Sequence, residues 1–279
     1  MQRRLIHIVP LVVAGCALVA ACSPGADGPA RGAPSVTTTA TAAAGAPASG
    51  ETPGAALPPD AVAPEPAPAS CTSITLVEGA AITSEELAAC LADHMRWARS
   101  GHQEVRLAGT TTRVDWVLTD EGLHALTDRE PGGRVALTPT RGWIEDESGW
   151  VEGDPAGDSE AALAAQGVDI LRSSLDPTFL DAMIRLAPGF TVDGREEVEL
   201  ADGTTTSLWA IRADAPFPTF ADSTTTELVV WTPTPGPTAR IDVTSTTPGA
   251  GEGTSTTFYS RWGELPDLAE LEELAGEIG

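Results

Sequence analysis

Thr111-Thr112-Arg113-Val114-Asp115-Trp116-Val117-Leu118 is the stretch on which the fold turns. Val114, Trp116 and Leu118 take every second place, so an extended chain here carries one apolar side, the mark of a strand with a buried face. Similar short runs rich in Val, Trp, Thr and Leu, parted by turn residues, lie on either side. They are read as strands over 102–109, 112–118, 122–127, 133–138, 142–146 and 149–153, and again over about 190–199, 204–213, 225–232, 237–245 and 254–262. The alternating pairs are Val135/Leu137, Trp209/Ile211, Val229/Trp231, Ile241/Val243 and Phe258/Trp262. Runs of this length joined by short turns predict an antiparallel sheet. Glu147-Ser148-Gly149 suits a hairpin, since Gly149 can take positive φ without a Cβ clash.

Helices precede and interrupt the strands. Thr83-Ser84-Glu85-Glu86 is a capping box, and Leu87, Cys90, Leu91, His94, Met95 and Ala98 then recur at helical spacing up to Gly101. After an acidic loop around 153–160 the chain is helix-prone to about 187. There Asp176 is placed as an N-cap and Pro177 at the first helical position, with Leu175 and Leu180 as a hydrophobic staple. Phe179, Leu180, Met183, Ile184 and Ala187 share one arc, and Asp181 and Arg185 form an exposed i,i+4 pair. The tail, 264–279, sets Leu268, Leu271, Leu274 and Ile278 against Asp267, Glu270, Glu273 and Glu277, a short acidic amphipathic helix expected to pack on its own domain.

The start of the chain is of another kind. Met1-Gln2-Arg3-Arg4 leads into an apolar run from Leu5 to Ala21, which is too short and too broken for a good membrane-spanning helix and reads as an export signal. It ends in Leu18-Val19-Ala20-Ala21-Cys22-Ser23, which resembles a bacterial lipobox and implies cleavage before Cys22 and acylation of its thiol, with diacylglyceryl and palmitate-type chains. Val13-Ala14-Gly15-Cys16 is a second match with a shorter apolar run before it. Residues 1–21 are thus read as signal and 22–70 as a lipidated, Pro/Ala/Thr-rich tether, too poor in large apolar groups to offset its ordering entropy. The folded unit is expected over 71–263, with 264–279 as the tail.

Of the four cysteines only Cys71 and Cys90 would remain in that unit. Two thiols outside the cytoplasm most often pair, although separate buried thiols or half of a metal site are the alternatives. The 279 residues carry 16 basic groups, all Arg, against 40 acidic ones, a formal charge of −24. No basic field is present to displace phosphate counterions, so nucleic acid is not an expected partner. A membrane is expected as a partner only through the acyl anchor at Cys22, since so acidic a surface is repelled by anionic headgroups.

The order helix, strands, helical insert, strands, behind a lipobox and a tether, resembles the LolA-like half-barrel lipoproteins of actinobacteria, in particular the LppX/LprA/LprF/LprG group. The pieces that carry the resemblance are Ala98-Arg99-Ser100-Gly101-His102, Leu175-Asp176-Pro177-Thr178-Phe179-Leu180, Val192-Asp193-Gly194-Arg195-Glu196-Glu197-Val198 and Tyr259-Ser260-Arg261-Trp262-Gly263-Glu264. They run across about 80–264. The resemblance implies an α+β fold, a curved antiparallel sheet or half-barrel with helices packed on its concave face. It also implies an apolar cavity that holds the acyl chains of a lipid or glycolipid on the extracytoplasmic side of the cell membrane.

If so, Trp116, Leu118, Val135, Leu137, Phe179, Met183, Trp209 and Ile211 are the expected lining, drawn from the concave strand face and the insert. Alternation alone does not separate a cavity wall from a packed core. With five Phe and three Met in the chain, a large cavity for several chains is not favoured. The other reading is a partner-binding or sensor lipoprotein on the same scaffold, which predicts an exposed apolar patch. An enzyme is not expected. There is no HExxH, GxSxG, P-loop or EF-hand pattern, and His94 on the apolar helix arc reads as a satisfied core histidine. The acids Asp146, Glu147, Glu152, Asp154, Asp158 and Glu160 lack the regular spacing of a calcium loop and read as a solvated surface, so neither metal nor cofactor is expected.

Overall fold

The computed structural model describes residues 68–147, 149–219 and 222–277. The expected signal, Cys16, Cys22 and nearly all of the expected tether lie outside the described residues. A 3-10 turn at Ala69–Cys71 leads to β1 (Ala81–Ile82) and α1 (Ser84–Ala98). A first meander follows: β2 (Ser100–Leu107), β3 (Thr110–Leu118), β4 (Leu123–Glu130), β5 (Val135–Leu137), β6 (Gly142–Asp146) and β7 (Gly149–Glu152). Then come α2 (Ser159–Ser174) and α3 (Pro177–Ile184). A second meander is formed by β8 (Phe190–Glu199), β9 (Thr205–Ala213), β10 (Phe217–Pro218), β11 (Thr224–Thr232), β12 (Arg240–Thr247) and β13 (Gly251–Ser260), and α4 (Ala269–Glu277) closes the chain.

The helix starts are local chemistry. Thr83 Oγ1 accepts the Glu86 N–H at 3.2 Å while the Thr83 N–H donates to the Glu86 carboxylate at 3.0 Å, so two N–H groups that the helix leaves unpaired are satisfied. Asp158 caps α2 through the N–H groups of Glu160 and Ala161, and Asp176 caps α3 with Pro177 behind it. Arg99 ends α1 in a left-handed conformation at φ 60°. Cys71 and Cys90 form a disulfide that ties the entering segment to α1, closing a loop that the chain-entropy account values at about 3 kcal/mol.

All thirteen strands belong to one open antiparallel sheet, in the order β1-β8-β9-β11-β12-β13-β2-β3-β4-β5-β6-β7 with β10 beside β11. The last strand, β13, pairs with β2, Thr257 opposite Val105 and Tyr259 opposite Gln103, so the two meanders join in the middle of the sheet. The chain therefore leaves the sheet at one edge, at β7, and re-enters at β8 beside the other edge. α2 and α3 are that crossover, and they must pass over one face.

That face holds the main core. Val114 and Trp116 of β3, Ala125 of β4, Val135 and Leu137 of β5, Phe190 and Val192 of β8, and Ile211 of β9 pack there with Leu87, Leu91 and Met95 of α1, Val168 and Leu171 of α2, and Leu180 and Ile184 of α3. Two patterns differ from the alternation read in the sequence. Val229 and Trp231 lie on the opposite face with Val198, Leu208 and Ala210, while their neighbours Leu228 and Val230 enter the main core. β11 sits between β9 and β12 and is buried on both sides, so its apolar residues run consecutively. Phe258 and Trp262 do not share a strand face, because β13 stops at Ser260. Phe258 lies beneath the guanidinium groups of Arg106 and Arg240, and Trp262 packs against the main core beside Tyr259.

On the opposite face α4 sets Leu271 and Leu274 against Ala136 and Trp143. Arg134 fixes it there, donating to both Glu270 oxygens at 2.6 and 2.7 Å and to Glu145 at 2.8 Å. Helix α2 approaches β6 closely enough that a Cβ at Gly142 would lie 2.3 Å from Val168 Cγ1. Gly142→Ala is therefore expected to lower the urea midpoint, by about 1–3 kcal/mol in stability, and Val168→Ala in the same chain to recover much of that loss. Independent, additive effects of the two substitutions would show that this approach does not limit packing.

Candidate functional site on the helix-covered face

The residues expected to line a cavity gather on the helix-covered face, but as packed side chains. Trp116 and Leu137 are 0% exposed, Val135 and Met183 1%, and Ile211 2%. A side chain with no accessible surface borders no space that even water can enter, so these five are core packing in this conformation. Leu118 and Trp209 are half-buried at the margins of the same cluster, and Phe179 is half-buried on α3. Leu118 borders a depression of about 450 Å³ at the end of β3, lined also by Arg99, Val117, Thr119, Asp120, Glu121 and Leu265.

An aromatic group missed in the sequence stands at the end of this core. The Trp262 ring meets His94 edge-on at 5.0 Å and Trp116 edge-on at 5.9 Å, stacks on Tyr259 at 5.6 Å, and His94 also meets Trp97 at 5.3 Å. His94 differs from its sequence reading. It is buried, yet neither ring nitrogen has a hydrogen-bond partner, and the Trp116 and Trp143 indole N–H groups are likewise buried without one. Burial pushes the His94 pKa down to about 4, so the ring is neutral at pH 7 and serves as a flat core piece rather than as a base. No spacing in the sequence announced the group, because Trp262 reaches His94 through the pairing of β13 with β2.

The helix side of the molecule also carries exposed apolar residues. Trp97 on α1, Leu163 and Ile170 on α2, and Leu186 after α3 are 36–42% exposed. Leu163 and Ile170 are seven residues apart and share one face of α2.

On the opposite face Ser260, His102 and Asp115 stand in a row across β13, β2 and β3. His102 Nδ1 lies 2.9 Å from Asp115, and Arg261 donates to the same carboxylate oxygen at 2.6 Å and contacts the ring nitrogen as well. Ser260 makes no hydrogen bond to the ring, and one Asp115 oxygen serves both the imidazole and the guanidinium. The row is an ion-pair network, not a nucleophile with its base. Among the described residues no group of three His, Cys, Asp or Glu is arranged to hold a metal ion. No described helix is long and apolar enough to cross a membrane. No protein-family model matches the chain, and no curated protein matches it.

The His94 environment has a direct consequence for acid stability. Its folded pKa of about 4 lies below the ordinary 6.5, so as pH falls through 6.5 the unfolded chain binds a proton that the folded chain refuses. Stability should then drop between pH 6.5 and 4 and level off below. Between pH 7 and 4.5 the wild type is expected to lose about 2 kcal/mol more than His94→Leu, read from urea midpoints. Parallel pH profiles for the two would mean that His94 finds a way to protonate in the fold.

Proposed function

We propose that this chain is a lipoprotein of the cell envelope, anchored through acylated Cys22, whose folded part is a LolA-like half-barrel that takes up the acyl chain of a lipid or glycolipid. In this reading the helix-covered face is the concave one and no cofactor or catalytic group is needed. The observation that carries the proposal is the crossover. From β7 to β8 the sheet has ten strand spacings, about 48 Å if flat. The two crossover helices supply about 36 Å of rise, with the loops at 153–158 and 185–189 adding reach at either end. One continuous core nevertheless joins β4 and β5 to β8 and β9 through these helices, and a curled sheet accounts for that economically.

The closed core sets how uptake would work. Trp116, Val135, Leu137 and Ile211 on the strands, and Met183 on α3, would be uncovered only when the covering helices α1, α2 and α3 move from the sheet, and an entering chain would take the helices' place against it, each buried CH₂ contributing about 0.8 kcal/mol. α2 is buried through Ala164, Ala165, Gly167, Val168 and Leu171, mostly small groups, so that Leu171 is the one large side chain of these that an entering acyl chain would have to replace. Phe179, Leu118 and Trp209, half-buried at the margins, are the residues an acyl chain would meet first. The second reading is a partner-binding or sensor lipoprotein. The filled core and the exposed Trp97, Leu163, Ile170 and Leu186 favour it, because they offer a protein surface without any opening.

Two measurements test these readings. Labelled palmitate should enter the full chain and be lost in Cys22→Ser but kept in Cys16→Ser; labelling that survives Cys22→Ser would overturn the anchor. Chain from residue 22 onward with Cys22→Ser, exported behind a cleavable signal so that the disulfide forms, should show in native mass spectrometry a discrete added mass that extracts into organic solvent. A bare polypeptide mass, together with no binding of apolar dyes, would sink the lipid reading. Crosslinking that captures a partner, lost on Leu163→Glu with Ile170→Glu, would then establish the second.

A further inference from the structure

Arginine in this chain is almost always spoken for. Of the thirteen arginines among the described residues, ten pair with carboxylates. Arg172 donates to the carbonyls of Thr138, Pro139 and Arg141, and Arg195 lies over the Trp209 ring. Arg129 has neither an ion pair nor a ring, and its Nε is buried without any hydrogen-bond partner. In a chain with 40 acidic groups such isolation is a feature of placement.

The placement follows from register. Arg129 stands opposite Thr112 on β3, two residues beyond Thr127, on the same side of the sheet as Val114, Trp116 and Ala125. It thus marks the far end of the helix-covered face, where the apolar core gives way to the buried hydroxyls of Thr112 and Thr127. Its sequence neighbours Asp128 and Glu130 alternate to the other side, where Glu130 is bound to Arg113. Asp146, two strands away on the same side, is bonded to Glu160, and that contact raises the Glu160 pKa.

The stem of Arg129 is held. Gly132, at φ 143°, passes so close that a Cβ there would stand 3.3 Å from Arg129 Cδ and 3.6 Å from Nε. Gly133 beside it has room for no side chain, since a Cβ would fall 2.2 Å from the Glu145 carbonyl oxygen. The Nε is sealed under this loop while the two terminal nitrogens reach the surface. Burial pulls the Arg129 pKa below its ordinary value, yet a guanidinium stays charged. Thr127 Oγ1 accepts the Val135 N–H at 2.7 Å, which leaves its own proton to give.

We propose that Arg129, with the Thr112 and Thr127 hydroxyls beside it, forms an oxyanion site at the end of the helix-covered face, with a phosphate group as its ligand. A fixed, half-desolvated fork of two donors matches two oxygens of a phosphate. The phosphate comes either with an acylated ligand, as its headgroup, or as free inorganic phosphate. The headgroup source rests on the lipid-carrier reading above; the site itself does not.

The test uses the chain from residue 22 onward with Cys22→Ser, exported so that the disulfide forms, with circular dichroism to check the fold of each variant. Dioleoyl phosphatidic acid and dioleoylglycerol differ by the phosphate alone. The wild type should prefer the former about tenfold, Arg129→Met should lose that preference, and Arg129→Lys should keep part of it. Inorganic phosphate should raise the melting temperature of the wild type and leave that of Arg129→Met unchanged. Phosphate stabilisation that depends on Arg129, with neither lipid bound, would keep the oxyanion site and reject the lipid reading. Equal binding of both lipids by wild type and Arg129→Met, with no phosphate effect, would keep the lipid reading and reject the site. No lipid binding and no effect of phosphate would remove both.

Discussion

An open sheet of thirteen strands has two faces to keep from water; α1, α2 and α3 cover one of them, and α4 covers only the β5–β6 end of the other. Every other feature of the structure answers to that constraint. Because β13 pairs with β2, the two meanders grow outward from the middle, and the connection between them must run from one edge nearly to the other. α2 and α3 thus have to lie across a face, and the apolar residues of that face have to meet them. The disulfide from Cys71 to Cys90 pins the third covering helix, α1, at the point where the chain enters the unit.

The uncovered face is managed by guanidinium groups. Glu104 is held between Arg106 and Arg113, and Arg113 reaches on to Glu130 across three strands. Arg212 bridges Asp193 and Glu227, and Asp242 collects Arg240, the Trp231 indole N–H and Thr256. Single exposed ion pairs contribute little to stability, but planar forks that join neighbouring strands also fix register and cover the aromatic faces of Phe258, Trp143 and Trp150. Where the pattern turns apolar at β5 and β6, α4 lies over it. A chain with arginine as its sole strong base uses it here as a structural piece.

The same economy shapes the functional reading. The largest buried side chains of the core have no accessible surface, so in the proposed lipid reading a ligand exchanges with helix contacts rather than filling a void. The buried His94, Trp116 and Trp143 polar atoms without partners lie in that core and on the opposite side of the sheet, where each costs free energy. Arg129 stands apart from both arrangements, on the helix-covered side yet outside the carboxylate network.

Strand and helix positions were legible because period-two and period-3.6 patterns, caps and turns are local. Thr83 with Glu86, Asp176 with Pro177, and Val114 with Trp116 each declared themselves within a few residues. The composition and the expectation of an export signal in the first 22 residues likewise rest on local sequence and need no fold. What lay beyond the sequence was every decision that needs residues far apart. These include the joining of β13 to β2, which sets Trp262 on His94, and the double burial of β11, which sends Val229 and Trp231 to the face away from the helices. The filling of the helix-covered face is another, since alternation is the same whether a neighbour or a ligand completes the contact. Apolar periodicity states that a face must be buried; only tertiary packing decides what buries it.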